Sequence, residues 1–188
     1  DEYRTAGAVE REHPHHEHYP LVLMMGLGLR RSELLGVSWS DFTNLSKKNK
    51  AVLRLRQQLI RKKEGGYYLQ QSLKTGKTRV VPLPETHRLA LLALKEATTE
   101  DERTPLAQDL VFTYQGDFIN YSRFTRIWEE VLTSYMTKNG RTLREDDYFR
   151  PHAVRKLAAA AGVPVTLTLS KVPLASWLLS VAVTARPK

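Results

Sequence analysis

Cysteine is absent from the 188 residues. That excludes disulfide staples and thiolate metal sites, and it fits a reducing compartment. No run of roughly 18 apolar residues occurs, so no membrane-spanning helix is predicted. The opening Asp1-Glu2-Tyr3-Arg4 is not a signal peptide. The chain reads as soluble and cytoplasmic, and its acidic start without Met leads us to expect a fragment of a longer protein. Negative charge is also scarce, with 20 Asp+Glu against 29 Lys+Arg and a formal net charge of +9. A basic balance of this size in a foldable domain points to a polyanion such as nucleic acid. With 41% apolar residues over this length, the chain can bury a core of ordinary size.

The apolar residues are most concentrated from Leu21 to Leu29, where no polar side chain interrupts. Such a segment predicts a helix buried on all sides. Arg30-Arg31 follows abruptly, and Glu33 comes next. A cation at the edge of a buried helix is costly unless an anion meets it. The spacing of a helical turn lets Glu33 meet one arginine but not both. One guanidinium is then available for a phosphate or carboxylate, although a solvated pair ending a core helix is the plainer reading.

Ala51-Val-Leu-Arg-Leu-Arg56 alternates apolar and charged residues, the period of a half-buried strand. Glu64-Gly-Gly66 predicts a hairpin turn, Tyr67 to Leu73 a second strand, and Arg79 to Leu83 a third. Pro82 suits an edge strand or strand end. The expected fold is α+β and mainly α-helical, with helices around a small three-stranded antiparallel sheet. A turn at Lys74-Thr-Gly-Lys-Thr78 presents Lys74 and Lys77. Its Gly-Lys-Thr end resembles a P-loop, but Gln71 stands where that motif needs glycine, so nucleotide binding is set aside. His13, His15, His16 and His18 crowd one segment, but His13-Pro14 breaks any helix and no HExxH spacing occurs, so a metal site is not expected.

Thr86 to Thr99 is expected to be a helix carrying Leu89, Leu92 and Ala93 on one face. Tyr121 to Lys138 has the clearest helical period, through Phe124, Ile127, Trp128, Val131, Leu132 and Tyr135. Asn120 or Ser122 suits its cap and Asn139-Gly140 its stop. A further helix is expected to open near Pro151, a position proline favours, with His152 and Arg155 on one face near the anion-friendly N-terminus. Ser170 suits the cap of a last helix carrying Val172, Leu174, Trp177 and Leu178.

Three stretches now stand in order: Gly28-Leu-Arg-Arg-Ser-Glu-Leu-Leu-Gly-Val-Ser-Trp-Ser-Asp41, Leu73-Lys-Thr-Gly-Lys-Thr-Arg-Val-Val-Pro-Leu83 and Pro151-His-Ala-Val-Arg155. From about residue 20 onward the chain resembles the catalytic domain of the tyrosine recombinases, the phage integrase family. The resemblance implies that residues 1–188 form one catalytic domain, with the family's N-terminal DNA-binding domain outside it. It implies that Arg30, with Glu33 three beyond, is the first catalytic arginine, and that Lys74 protonates the leaving 5′ oxygen. His152 then serves in proton transfer, Arg155 grips the scissile phosphate, and Trp177 fills the usual histidine's place, where some members use tryptophan. Arg31, Lys77, Arg79 and Lys156 are expected at the DNA backbone. The implied partners are double-stranded DNA and further copies of the chain in a tetramer, with no cofactor, metal or membrane.

The chain departs from the family pattern at the nucleophile. All eight tyrosines precede His152, whereas the family's attacking tyrosine follows it, near the C-terminus. The Leu-Gly-His that usually precedes that tyrosine is also missing. Either residues are absent from this chain, which we favour, or it is a DNA-binding relative that has lost the nucleophile.

Overall fold

The computed structural model describes residues 18–98, 103–138, 151, 165–166 and 182–183, with side chains through residue 134 in the longest helix. The described chain forms two compact units, one running Arg31–Arg123 and the other holding the residues up to Arg30 and from Phe124 onward. It is a mixed α+β fold, as the sequence predicts.

In the second unit, helix α1 (Tyr19–Met25) has Pro20 in its first turn and buries all of Leu21 to Met25. The apolar run predicts a helix to Leu29, but α1 stops at Met25. Residues 26–28 turn instead, and Gly28 takes φ +73°. Two glycines in three positions lower the helical preference at that point, and the Gly26, Leu27 and Gly28 amides bond to carbonyls three residues back in a tightened turn that ends at the left-handed Gly28. Helix α4 (Tyr121–Lys138) begins in the first unit and continues into the second. Its bounds match the sequence expectation, and the Asn120 carboxamide oxygen caps it by accepting from the Arg123 amide at 2.8 Å. Phe124, Ile127, Trp128, Val131 and Leu132 are all buried.

In the first unit, the short helix α2 (Arg31–Leu35) leads through Gly36 to a 3-10 turn, Trp39–Asp41. A three-stranded antiparallel sheet follows, in the order β1 (Phe42–Thr43), β2 (Val52–Leu55), β5 (Arg79–Pro82). Leu53 faces Val81 and both are buried, while Arg54 faces Val80 and both are exposed. The predicted alternation therefore holds on β2, β5 alternates with it, and Pro82 lies on an edge strand.

The predicted membership of that sheet is corrected. The strand at Tyr67, β4 (Tyr67–Gln70), pairs with β3 (Gln58–Arg61) in a separate hairpin, Ile60 facing Tyr68. β3 escapes the alternation test because Gln57 and Gln58 are buried beside Leu59. The turn joining β3 to β4 is the expected one, with Lys62 N–H bonded to the Gly66 carbonyl at 3.0 Å.

Helix α3 (Glu85–Ala97) buries Leu89, Ala90 and Leu91 together with His87 and Arg88. Arg88 is accommodated because Nε and Nη2 donate to the two Glu85 oxygens at 2.9 and 2.7 Å, and Nη1 to the Leu45 carbonyl at 3.1 Å. Leu110, Val111 and Phe112 are buried, and a turn at Gln115-Gly116 joins β6 (Thr113–Tyr114) to β7 (Asp117–Phe118). Further on, β8 (Val165–Thr166) pairs antiparallel with β9 (Ala182–Val183). The expected helices at Pro151 and Ser170 fall, beyond those residues, outside the described part of the chain.

Candidate functional site

Lys74 sits second in a tight turn closed by the Gly76 amide donating to the Leu73 carbonyl at 2.8 Å. Gly76 takes φ +68°, which a residue with a Cβ adopts only under strain. Leu73 is buried and anchors the turn, while Lys74 and Lys77 are exposed. Among the described residues no ion pair or hydrogen bond holds the Lys74 ammonium. It is a long, flexible cation on a rigid support, an arrangement suited to reaching an external anion.

The segment before the turn is fastened to α2 through two buried glutamines. Gln58 Nε2 donates to the Ser72 carbonyl at 2.9 Å, and its Oε1 accepts from Ser32 Oγ at 3.3 Å. Gln57 Nε2 donates to the Gly36 carbonyl at 2.8 Å and to Ser38 Oγ at 2.7 Å, while its Oε1 accepts from Gln71 Nε2 at 3.1 Å. Gly36 is required at this crossing. A Cβ there would lie 2.8 Å from both Gln58 Cα and Leu59 N, so α2 and β3 approach each other backbone to backbone.

Glu33 is buried on α2 and accepts from Arg79 Nη2 at 3.2 Å. Helical spacing offers Glu33 one of the neighbouring arginines, and the fold adds Arg79, which lies far along the chain on β5. Arg79 is otherwise partly exposed, and its Nε is buried without a hydrogen-bond partner. The Arg31 guanidinium lies over the Tyr121 ring at 3.9 Å from its centroid, a cation–π contact. Tyr121 was legible only as the start of a helix. Its hydroxyl donates to the Leu59 carbonyl at 2.9 Å and its amide to Tyr67 Oη at 3.2 Å. Burial raises the Tyr121 pKa above the ordinary phenol value, against the opposing pull of Arg31. A half-buried phenol that donates its proton to a carbonyl in this way is a poor nucleophile.

Lys74, Lys77, Arg79 and Arg31 thus fall in the first unit, and half-buried Arg30 closes the described part of the second before α4. His152, Arg155, Lys156 and Trp177 lie outside the described residues, as do His13, His15 and His16. Among the described residues no cluster of His, Asp and Glu has the makings of a metal site, and no helix is long and apolar enough to cross a membrane.

In fold the chain is similar to the Tn1549 transposon integrase, solved in complex with circular-intermediate DNA. The TM-score is 0.58 at 23% identity, over 77% of this chain and 47% of that one. The same integrase solved with transposon right-end DNA gives 0.61 at 21% identity, over 78% and 46%. A further circular-intermediate complex gives 0.61 at 21%, over 95% and 58%. The chain therefore spans about half the length of the first of these structures. No curated protein matches it. Residues 5–163 match the phage integrase family over most of the 188 residues. With that match and the turn-borne lysine in place, the chain belongs to the phage integrase family.

Proposed function

We propose that this chain is the catalytic domain of a site-specific DNA recombinase, acting in the cytoplasm on double-stranded DNA as part of a homotetramer. Lys74 is the observation that carries the reading: a solvent-facing ammonium on a braced turn, in the place where the family resemblance puts the general acid. The net charge of +9 and the DNA complexes of the Tn1549 integrase support it.

In this reading Arg30 and Arg155 hold the non-bridging oxygens of the scissile phosphate. Charge grows on those oxygens as phosphorus becomes five-coordinate, and two fork-shaped donors stabilise that state more than the ground state. A tyrosine oxygen bonds to phosphorus, the bond to the 5′ oxygen breaks, and Lys74 gives that oxygen its proton. His152 moves protons at the attacking and leaving oxygens, and Trp177 packs where other members carry histidine. Arg31, Lys77, Arg79 and Lys156 meet backbone phosphates on either side. No metal or other cofactor takes a part in these steps.

The nucleophile is not among the eight tyrosines that precede His152. That observation favours a second reading, a DNA-binding relative that does not cut. A nicked suicide substrate, which loses a short strand on cleavage and prevents rejoining, separates the two in the full-length protein. The recombinase reading expects a covalent protein–DNA adduct resistant to denaturation. DNA binding with no adduct establishes the second reading instead.

A further inference from the structure

We propose that the buried pair Gln57 and Gln58 are positioning residues for Lys74, an inference that rests on the reading of Lys74 as general acid. Strand β4 ends at Gln70 and β5 begins at Arg79, so no ladder hydrogen bonds fix the segment between them. Its place is set by the burial of Leu73, by the two buried glutamines, and by the Gln70 carboxamide donating to Ser72 Oγ at 3.0 Å. Gln58 holds the main-chain carbonyl of Ser72, two residues before Lys74, and Gln57 holds the side chain of Gln71. Their other bonds run to Ser32 within α2, and to Gly36 and Ser38 just beyond it. The lysine turn is therefore referenced to the segment that follows Arg30.

Each glutamine is only 4% exposed. Burying an amide costs free energy unless its donors and acceptor are met, and here both Gln57 donors and both carboxamide oxygens are engaged. A leucine or methionine would fill the same volume without that demand. What the amides add is direction: they fix a loop carbonyl and a loop side chain at set distances from α2. Proton delivery needs the donor within hydrogen-bond reach of the leaving oxygen, and a misplacement of about 1 Å is enough to slow a reaction about 100-fold.

The test compares two DNA substrates in the full-length protein, one ordinary and one with sulfur replacing the bridging 5′ oxygen at the scissile phosphate. A thiolate leaves without a proton, so the second substrate bypasses the general acid. Gln58→Leu is expected to slow cleavage of ordinary DNA by roughly 10- to 100-fold and to stay within about threefold of wild type on the sulfur substrate. Gln71→Ala alters an exposed residue and removes one bond to Gln57, so it keeps the test open where Gln58→Leu fails to fold. It is expected to show the same selectivity at smaller size. Equal slowing on both substrates, or no slowing on either, overturns the positioning role. Wild-type protein that cleaves neither DNA overturns the recombinase reading itself, and this inference with it.

Discussion

Arg79 on β5 donates to the buried carboxylate of Glu33 on α2, joining two residues 46 positions apart in the chain. The pair ties α2 to the strand that follows the lysine turn. The bond also engages one donor of Arg79, a residue expected at the DNA backbone.

Removing Arg79 takes a cationic partner from a buried carboxylate, and the loss is tempered because the Arg79 side chain is itself partly exposed. Arg79→Ala should lower stability by about 1–3 kcal/mol in urea unfolding. Adding Glu33→Gln to that variant should recover part of the loss. Additive effects of the two substitutions would show that the contact carries no coupling.

Gly36→Ala places a methyl group against the backbone of Gln58 and Leu59. Neither neighbour is a flexible side-chain tip, so one of the two elements must shift. A loss of about 1–3 kcal/mol is expected, with a lower thermal midpoint. A neutral outcome would mean that α2 and β3 lie farther apart than described.

Arg88 donates to both Glu85 oxygens and holds the Glu85 pKa below the ordinary carboxylate value; the Asn49 amide, at 3.2 Å, acts in the same direction. A carboxyl with a lowered folded-state value stabilises the fold above its unfolded value, and that contribution fades as pH falls through the folded one. The stability difference between wild type and Glu85→Gln should therefore be constant above about pH 5 and shrink below about pH 4. Urea midpoints measured across that range check it, and a difference independent of pH would rule the coupling out.

Tyr121→Phe removes the hydroxyl that donates to the Leu59 carbonyl while leaving the ring beneath Arg31. A cost of about 1 kcal/mol is expected. Tyr121→Ala should cost more, because the contacts with Tyr67 and Arg31 go as well. Equal losses from the two variants would show that the ring contributes nothing.

The parts of this fold that were legible share one property: their side chains sort cleanly by polarity. Tyr121–Lys138 declares itself because its apolar residues recur at helical spacing and Asn120 stands at its cap. β2 does so because Leu53 and Leu55 alternate with Arg54. β3 does not, because its buried face begins with glutamines that are satisfied by partners the sequence cannot place, Gly36, Ser38 and Ser72. For Glu33 helical spacing offers only local partners, and the contact from Arg79 becomes visible only through the sheet. Lys74 was found as one of two lysines on a turn between strands, but the brace beneath it becomes visible only once β3 is paired with β4.

Arg155 is proposed to grip the scissile phosphate while supplying only one contact among many in binding, so its removal separates chemistry from affinity. In the full-length protein, Arg155→Ala should cut cleavage of a suicide substrate by about 100- to 1,000-fold. DNA binding should weaken modestly, with the dependence of log affinity on log salt falling by about one unit. Cleavage at the wild-type rate by Arg155→Ala would show that Arg155 does not hold the scissile phosphate.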